Sequence, residues 1–187
     1  MKTFQLNGTL RSDYGKKAAK ALRKQDLVPC NLYGNGQNIT FTVSVADVRK
    51  LIYTPDTMVV ELTIDGAAHN AIIKELQFHP VSENLLHIDF LEVTEDKPVI
   101  VAIPLQLTGH AEGVKAGGKL SMEIRKLNVR GLYKNFPDRL IVDVTELGLG
   151  KKIFVSDLHF DNLEVMNAKS LVVAQVKATR ASATANA

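Results

Sequence analysis

The chain has a single cysteine, Cys30, among its 187 residues, so no internal disulfide can form and a reducing compartment is expected. Long apolar runs are missing as well. None approaches the roughly 20 residues that a membrane helix needs, and the opening MKTFQLNGTL has no stretch apolar enough for a signal peptide. A cytoplasmic protein with no membrane association is expected. The two Asn-x-Thr tripeptides, at Asn7 and Asn38, are then chance matches to a glycosylation signal.

Catalytic spacings are equally scarce. The five histidines form no His-x-His or Glu-x-x-His pattern, so no metal site is expected. There is no Gly-x-Ser-x-Gly elbow. The run from Gly113 to Lys119 fits the first seven positions of a phosphate-binding loop. Leu120 then stands where the magnesium-binding hydroxyl should be, and no long helix follows, so the run reads as a Gly-rich β-turn. Cys30, in an apolar stretch after Pro29, reads as a small core residue and not a nucleophile. No enzyme, no catalytic residue and no cofactor is expected.

What is present is a polarised charge. The net charge is only +3, yet residues 1–24 carry seven basic side chains (Lys2, Arg11, Lys16, Lys17, Lys20, Arg23, Lys24) against Asp13 alone, a net of +6. Residues 25–93 carry three basic and nine acidic side chains, a net of −6. Such a concentrated basic segment is the electrostatic footprint of a phosphate-binding edge, although a solvated helix face would look the same.

The apolar pattern is mostly of period two, which predicts a mainly β protein. Strands are expected through Ile39 to Val45, Met58 to Ile64, Ala71 to Phe78 and Leu86 to Phe90, with a hairpin turn at Asp65-Gly66. Short helices are expected at Lys16 to Lys24, with Ala18, Ala21 and Leu22 on its apolar side, and at Val45 to Ile52 with Ser44 as N-cap. The polar stretch Thr94 to Pro98 marks a boundary between a first domain, 1–93, and a second β-rich domain, 98–177. Strands resume there at Val99 to Leu107, Ile124 to Val129, Leu140 to Val144, Lys152 to Val155 and Leu171 to Val176. Residues 178–187, small and polar, are expected to be a disordered tail.

Within the Leu86 to Phe90 strand, His87 and Asp89 share one face, while Leu86, Ile88 and Phe90 share the other and must meet the core. Gln77 and His79 repeat the arrangement one strand earlier. The expected result is a plateau of donors and acceptors: Gln77, His79, His87 and Asp89. A catalytic pair, a structural surface pair and a recognition surface all remain open. The absence of a nucleophile or metal ligand and the nearby basic segment favour recognition of RNA, whose base amino groups and 2′-hydroxyls suit a carboxylate. Tyr33, on a strand entering the Gly34-Asn35-Gly36 turn, either packs inward or presents its hydroxyl to a ribose or phosphate.

Arg11, Gly15-Lys16, Leu22-Arg23, Val28-Pro29-x-x-Leu32-Tyr33-Gly34, Gln77-x-His79-Pro80 and Leu86-His87-Ile88-Asp89-Phe90 occur in an order that resembles a known family. It is the bacterial ribosomal protein twenty-five of the large subunit, in its long two-domain form of the Ctc general-stress-protein type, which binds 5S rRNA. The second half is similar to that family's extra domain through Gly109-x-x-x-Gly113-Val-x-x-Gly-Gly118-x-Leu120 and Val155-Ser156-Asp157-Leu158. The resemblance implies a closed six-stranded N-terminal β-barrel with short helices. It implies RNA contacts at Arg11, Lys16, Lys20, Arg23, Tyr33, Gln77, His87 and Asp89. It also implies a structural ribosomal constituent, monomeric off the ribosome, whose neighbours are 5S rRNA, 23S rRNA and large-subunit proteins. Ala21, Lys17, Gln25-Asp26-Leu27 and Phe78 depart from commoner family residues and together lower the positive charge. A stress-linked adaptor that visits ribosomes transiently is the alternative.

Overall fold

A computed structural model describes residues 1–179, and these divide into two compact units, Met1–Lys97 and the chain from Pro98 onward. The first unit contains β1 (Lys2–Leu10), α1 (Lys16–Lys24), β2 (Leu27–Gly34), β3 (Gln37–Ser44), α2 (Val45–Tyr53), β4 (Met58–Ile64), β5 (Ala67–Phe78) and β6 (Leu85–Glu92). Its six strands close into a barrel in the order β1-β3-β2-β6-β5-β4. Closure is made by β1, which pairs in parallel with β4 from Lys2↔Met58 to Gly8↔Ile64 and antiparallel with β3 at Thr9↔Thr42.

Alternation fills this barrel. Cys30, Leu32, Phe41, Val43, Val60, Leu62, Ile88 and Phe90 all point inward and are buried, and the Phe41 and Phe90 rings meet at 5.7 Å in a tilted pair. Cys30 is thus a core residue, and burial pushes its thiol pKa far up, which keeps it unreactive. The hairpin turns are of the expected chemistry. Asp65 and Gly66, and likewise Asn35 and Gly36, all have positive φ, as a two-residue turn between right-twisted strands requires.

Helix α1 buries no residue fully; its half-buried side is Ala18, Ala19, Leu22 and Arg23. This corrects the expected apolar side, because Ala21 is exposed and Arg23 takes its place against the barrel. Lys16, Lys17, Lys20 and Lys24 are left facing outward. Ser44 caps α2 by accepting from the Ala46 N–H at 3.2 Å, and Val48 and Leu51 anchor that helix in the core. At the end of the unit, Lys97 donates to Asn35, Asn35 donates to Glu92, and Glu92 pairs with His69 at 2.8 Å.

The second unit carries β7 (Val99–Thr108), α3 (Glu112–Lys115), β8 (Lys119–Met122), β9 (Lys126–Gly131), β10 (Leu140–Asp143), β11 (Lys152–Phe154), β12 (Glu164–Val165) and β13 (Val172–Lys177). They form one sheet in the order β10-β7-β9-β12 and another in the order β11-β13-β8. The phosphate-loop-like run is a packing device. A Cβ on Gly113 would stand 2.6 Å from the backbone of Gly148 and Leu149, and one on Gly118 would stand 2.5 Å from Val176. The four-residue α3 overlaps the start of the run, so it is not the simple turn expected. Thr179 donates its hydroxyl to the Gly117 carbonyl; the expectation of a disordered tail falls, for residues 180–187, outside the described residues.

Candidate nucleic-acid interface

Neighbouring strands β2, β6 and β5 set the candidate face by register. Asp89 on β6 stands between Asn31 on β2 and Glu75 on β5, and His87 stands opposite Gln77. Since Cys30, Ile88 and Leu76 pack inward at the intervening positions, Asn31, Tyr33, Glu75, Gln77, His87 and Asp89 share the outer face. Within it His87 Nδ1 lies 3.3 Å from Asp89 Oδ1, and their side chains are only 21% and 23% exposed. The pair sits lower in the surface than a freely solvated pair would.

Burial lowers the His87 pKa from its ordinary value; Arg23 and Arg11 push it the same way, and Asp89 and Glu75 oppose. The imidazole is therefore neutral near pH 7. One ring nitrogen is directed at Asp89 and the other is free to meet a ligand. Burial, with the charges of Asp89 and Glu75, raises the Tyr33 phenol pKa, so its hydroxyl remains a donor.

Two arginines lie near enough to act on His87 through their charge. Arg23 donates from Nε and Nη2 to the Leu86 carbonyl at 3.0 and 2.9 Å, which pins α1 beside β6. Arg11 is held in the loop after β1. Its backbone N–H donates to Thr40, its Nη2 donates to the Asp13 carbonyl, and its guanidinium lies 5.7 Å from the Tyr14 ring centre. Its Nε is buried without a partner among the described residues, beside a cavity of about 290 Å³ lined in part by Ser12, Asp13, Gln25 and Thr42. Lys16 and Lys20 stand exposed on α1.

Register and electrostatic coupling thus bring Arg11, Arg23, Tyr33, Gln77, His87 and Asp89 together, with Lys16 and Lys20 outward on the adjoining helix. His79 is not part of the plateau. β5 ends at Phe78 after a register shift, and the His79 ring accepts from the Val81 and Ser82 N–H groups of the turn at 3.3 and 3.2 Å. Glu75 and Asn31 were missed by sequence reasoning. Both lay within reach of it, being two residues from Gln77 and Tyr33 on the same strands. Among the described residues no cluster of three or more His, Cys, Asp or Glu could hold a metal ion.

Comparison with known proteins agrees with this division. Residues 6–90 match the Ribosomal L25p family, and residues 98–180 match the C-terminal domain of ribosomal protein TL5. A large ribosomal subunit protein bL25 of Porphyromonas gingivalis is 57% identical over 183 residues, 97% of this chain and 95% of that protein. The bL25 of Azobacteroides pseudotrichonymphae is 55% identical over 96% of each chain. That of Parabacteroides distasonis is 51% identical over 100% of this chain and 99% of its own.

Proposed function

The chain belongs to the bL25 family of large ribosomal subunit proteins, in its long two-domain form, and from that premise we infer that it binds 5S rRNA through the β2-β6-β5 face. As a family member it is a structural ribosomal protein of the cytoplasm. The observation that carries the RNA-binding reading is the half-buried His87–Asp89 pair, framed by Arg11 and Arg23 and adjoined by the outward lysines of α1.

The division of labour follows from chemistry. Lys16 and Lys20, mobile point charges at the edge, neutralise phosphates and set the position of the duplex. Arg23 has already spent Nε and Nη2 on Leu86, so it fixes α1 and offers its remaining nitrogen to the RNA. Gln77, His87, Asp89 and the Tyr33 hydroxyl supply directional donors and acceptors. A regular RNA duplex hides its base edges in a narrow major groove, so a rigid β face suits a shallow minor groove or a groove opened by non-standard pairs. The carboxylates of Asp89 and Glu75 repel phosphates and admit groups that donate, such as base amino groups and 2′-hydroxyls.

The test is a gel-shift titration of the full chain against 5S rRNA with tRNA as competitor. Retention of the 5S complex under excess tRNA is expected. Equal displacement by both RNAs would overturn the reading.

A further inference from the structure

Residues 25–93 carry only three basic side chains, and two of them, Arg49 and Lys50, are adjacent on α2. The helix turns its apolar stripe of Val48, Leu51 and Ile52 toward the barrel. Ala46, Arg49, Lys50 and Tyr53 therefore line its outer side at helical spacing. Tyr53 is 71% exposed, with its ring uncovered where tyrosines are usually packed. Asp47, one turn from Lys50, makes no ion pair with it among the described residues, and Arg49 makes none either. Thr54, which donates to the Lys50 carbonyl at 2.6 Å, closes the helix. The four residues Arg49, Lys50, Tyr53 and Thr54 line an open hollow of about 500 Å³.

We propose that this outer side of α2 is a second RNA-binding site, which takes an unpaired nucleotide with its base stacked on Tyr53 and its phosphates on Arg49 and Lys50. Two cations without ion-pair partners among the described residues, set in an acidic stretch of chain, attract an anion to one place. An exposed aromatic ring within one helical turn of them adds the stacking platform that distinguishes single-stranded RNA from a plain polyanion. A duplex keeps its base faces covered and could use only the cations. The site is separate from the β2-β6-β5 face, since α2 packs against β1 and β3.

The probe is an unstructured RNA of about twelve nucleotides containing 4-thiouridine, within the span that single-strand-binding modules cover. It is titrated against the full-length protein carrying Lys16→Ala, Lys17→Ala, Lys20→Ala and Lys24→Ala, which removes the outward charges of α1. Cross-linking followed by peptide mapping should label Tyr53. Adding Arg49→Ala and Lys50→Ala should weaken binding about fivefold or more, and Tyr53→Ala likewise about fivefold or more, while Tyr53→Phe keeps the stack and stays near the parent. Unlabelled Tyr53, unchanged affinity in the Arg49/Lys50 variant, or equal binding by the Ala and Phe forms of Tyr53 would overturn the proposal. Displacement of the RNA by polyglutamate at matched charge would also overturn it, in favour of an acidic protein partner. The β-face reading is tested in its own titration against 5S rRNA, so its failure would be seen separately from this one. All surface variants are checked by thermal melts.

Discussion

Arg23 reaches from helix α1 to the Leu86 carbonyl on β6 with two N–H groups, so the basic helix and the strand that carries His87 and Asp89 are joined by one residue. Because α1 buries nothing fully, this fork is a main tie between helix and barrel. Arg23→Ala should cost helix docking about 1.5–3 kcal/mol, the worth of hydrogen bonds from a charged group. Hydrogen exchange should then show α1 amides losing protection while those of β2 and β6 keep theirs. Unchanged α1 protection would refute the role.

Asp89 faces Glu75 across the β5–β6 ladder, and two carboxylates side by side would ordinarily repel RNA. If Asp89 were mere repulsion, Asp89→Ala should tighten 5S rRNA binding. As an acceptor for base amino groups or 2′-hydroxyls its loss should instead cost about 2–4 kcal/mol, because RNA donors are left unpaired. Asp89→Asn should be nearly as harmful, while Tyr33→Phe should cost about 1 kcal/mol. A folded Asp89→Ala protein that binds as well as wild type would sink the recognition-face reading.

Phosphate neutralisation by the basic segment should make binding salt-dependent. With about four to six phosphates engaged, log affinity should fall against log salt with a slope of roughly −3 to −5. Lys16→Ala and Lys20→Ala should each reduce that slope by about one and weaken binding to all RNAs alike. A flat salt titration would remove the electrostatic argument.

His87 gives the fold a pH dependence whose sign is set by burial. Its pKa in the folded protein lies below the ordinary 6.5, so the folded state favours the neutral ring. The unfolded chain therefore binds this proton more readily, and stability present above pH 6.5 is lost as pH falls through the lowered folded value. Melting temperature should decline over that window in wild type, and less steeply in His87→Gln. Parallel declines in both proteins would show that other groups carry the effect.

A fragment ending at Lys97 should fold alone and hold 5S rRNA within tenfold of the full chain. Its barrel is closed, and the Lys97–Asn35–Glu92–His69 chain of contacts lies wholly inside it. A fragment that is folded by circular dichroism yet binds more than tenfold more weakly would refute this.

Local pattern carried much of this structure. The lysine spacing of α1, the Asp65-Gly66 turn and the alternation through Ile88 and Phe90 each follow from a few neighbouring residues. β1 alternates too, at Phe4 and Leu6, but Gly8 takes the next inward position against Phe41 and blunts the pattern. β8 and β12, with four and two residues, are too short to show a period, and β9 begins two residues later than expected, at Lys126. The role of Arg23 could not be read locally, since Leu86 reaches it only after β6 is seated against β2. His79 was misplaced because a register shift ends β5 just before it, and alternation cannot foresee a shift.

The strand order also sets a timetable for synthesis. β1 leaves the ribosome first but meets its antiparallel partner only with β3 and its parallel one with β4, and Cys30 on β2 must wait for Ile88 on β6. Parallel neighbours so far apart along the chain are slow to find each other. Of the barrel's six strands the last to emerge is the one that carries His87 and Asp89, and it is flanked by β2 and β5, both already made. A nascent chain stalled before Glu92 would therefore display the basic helix without the polar face beside it. The polar face of His87 and Asp89 is completed in a single event, with the last of the barrel's strands to be made.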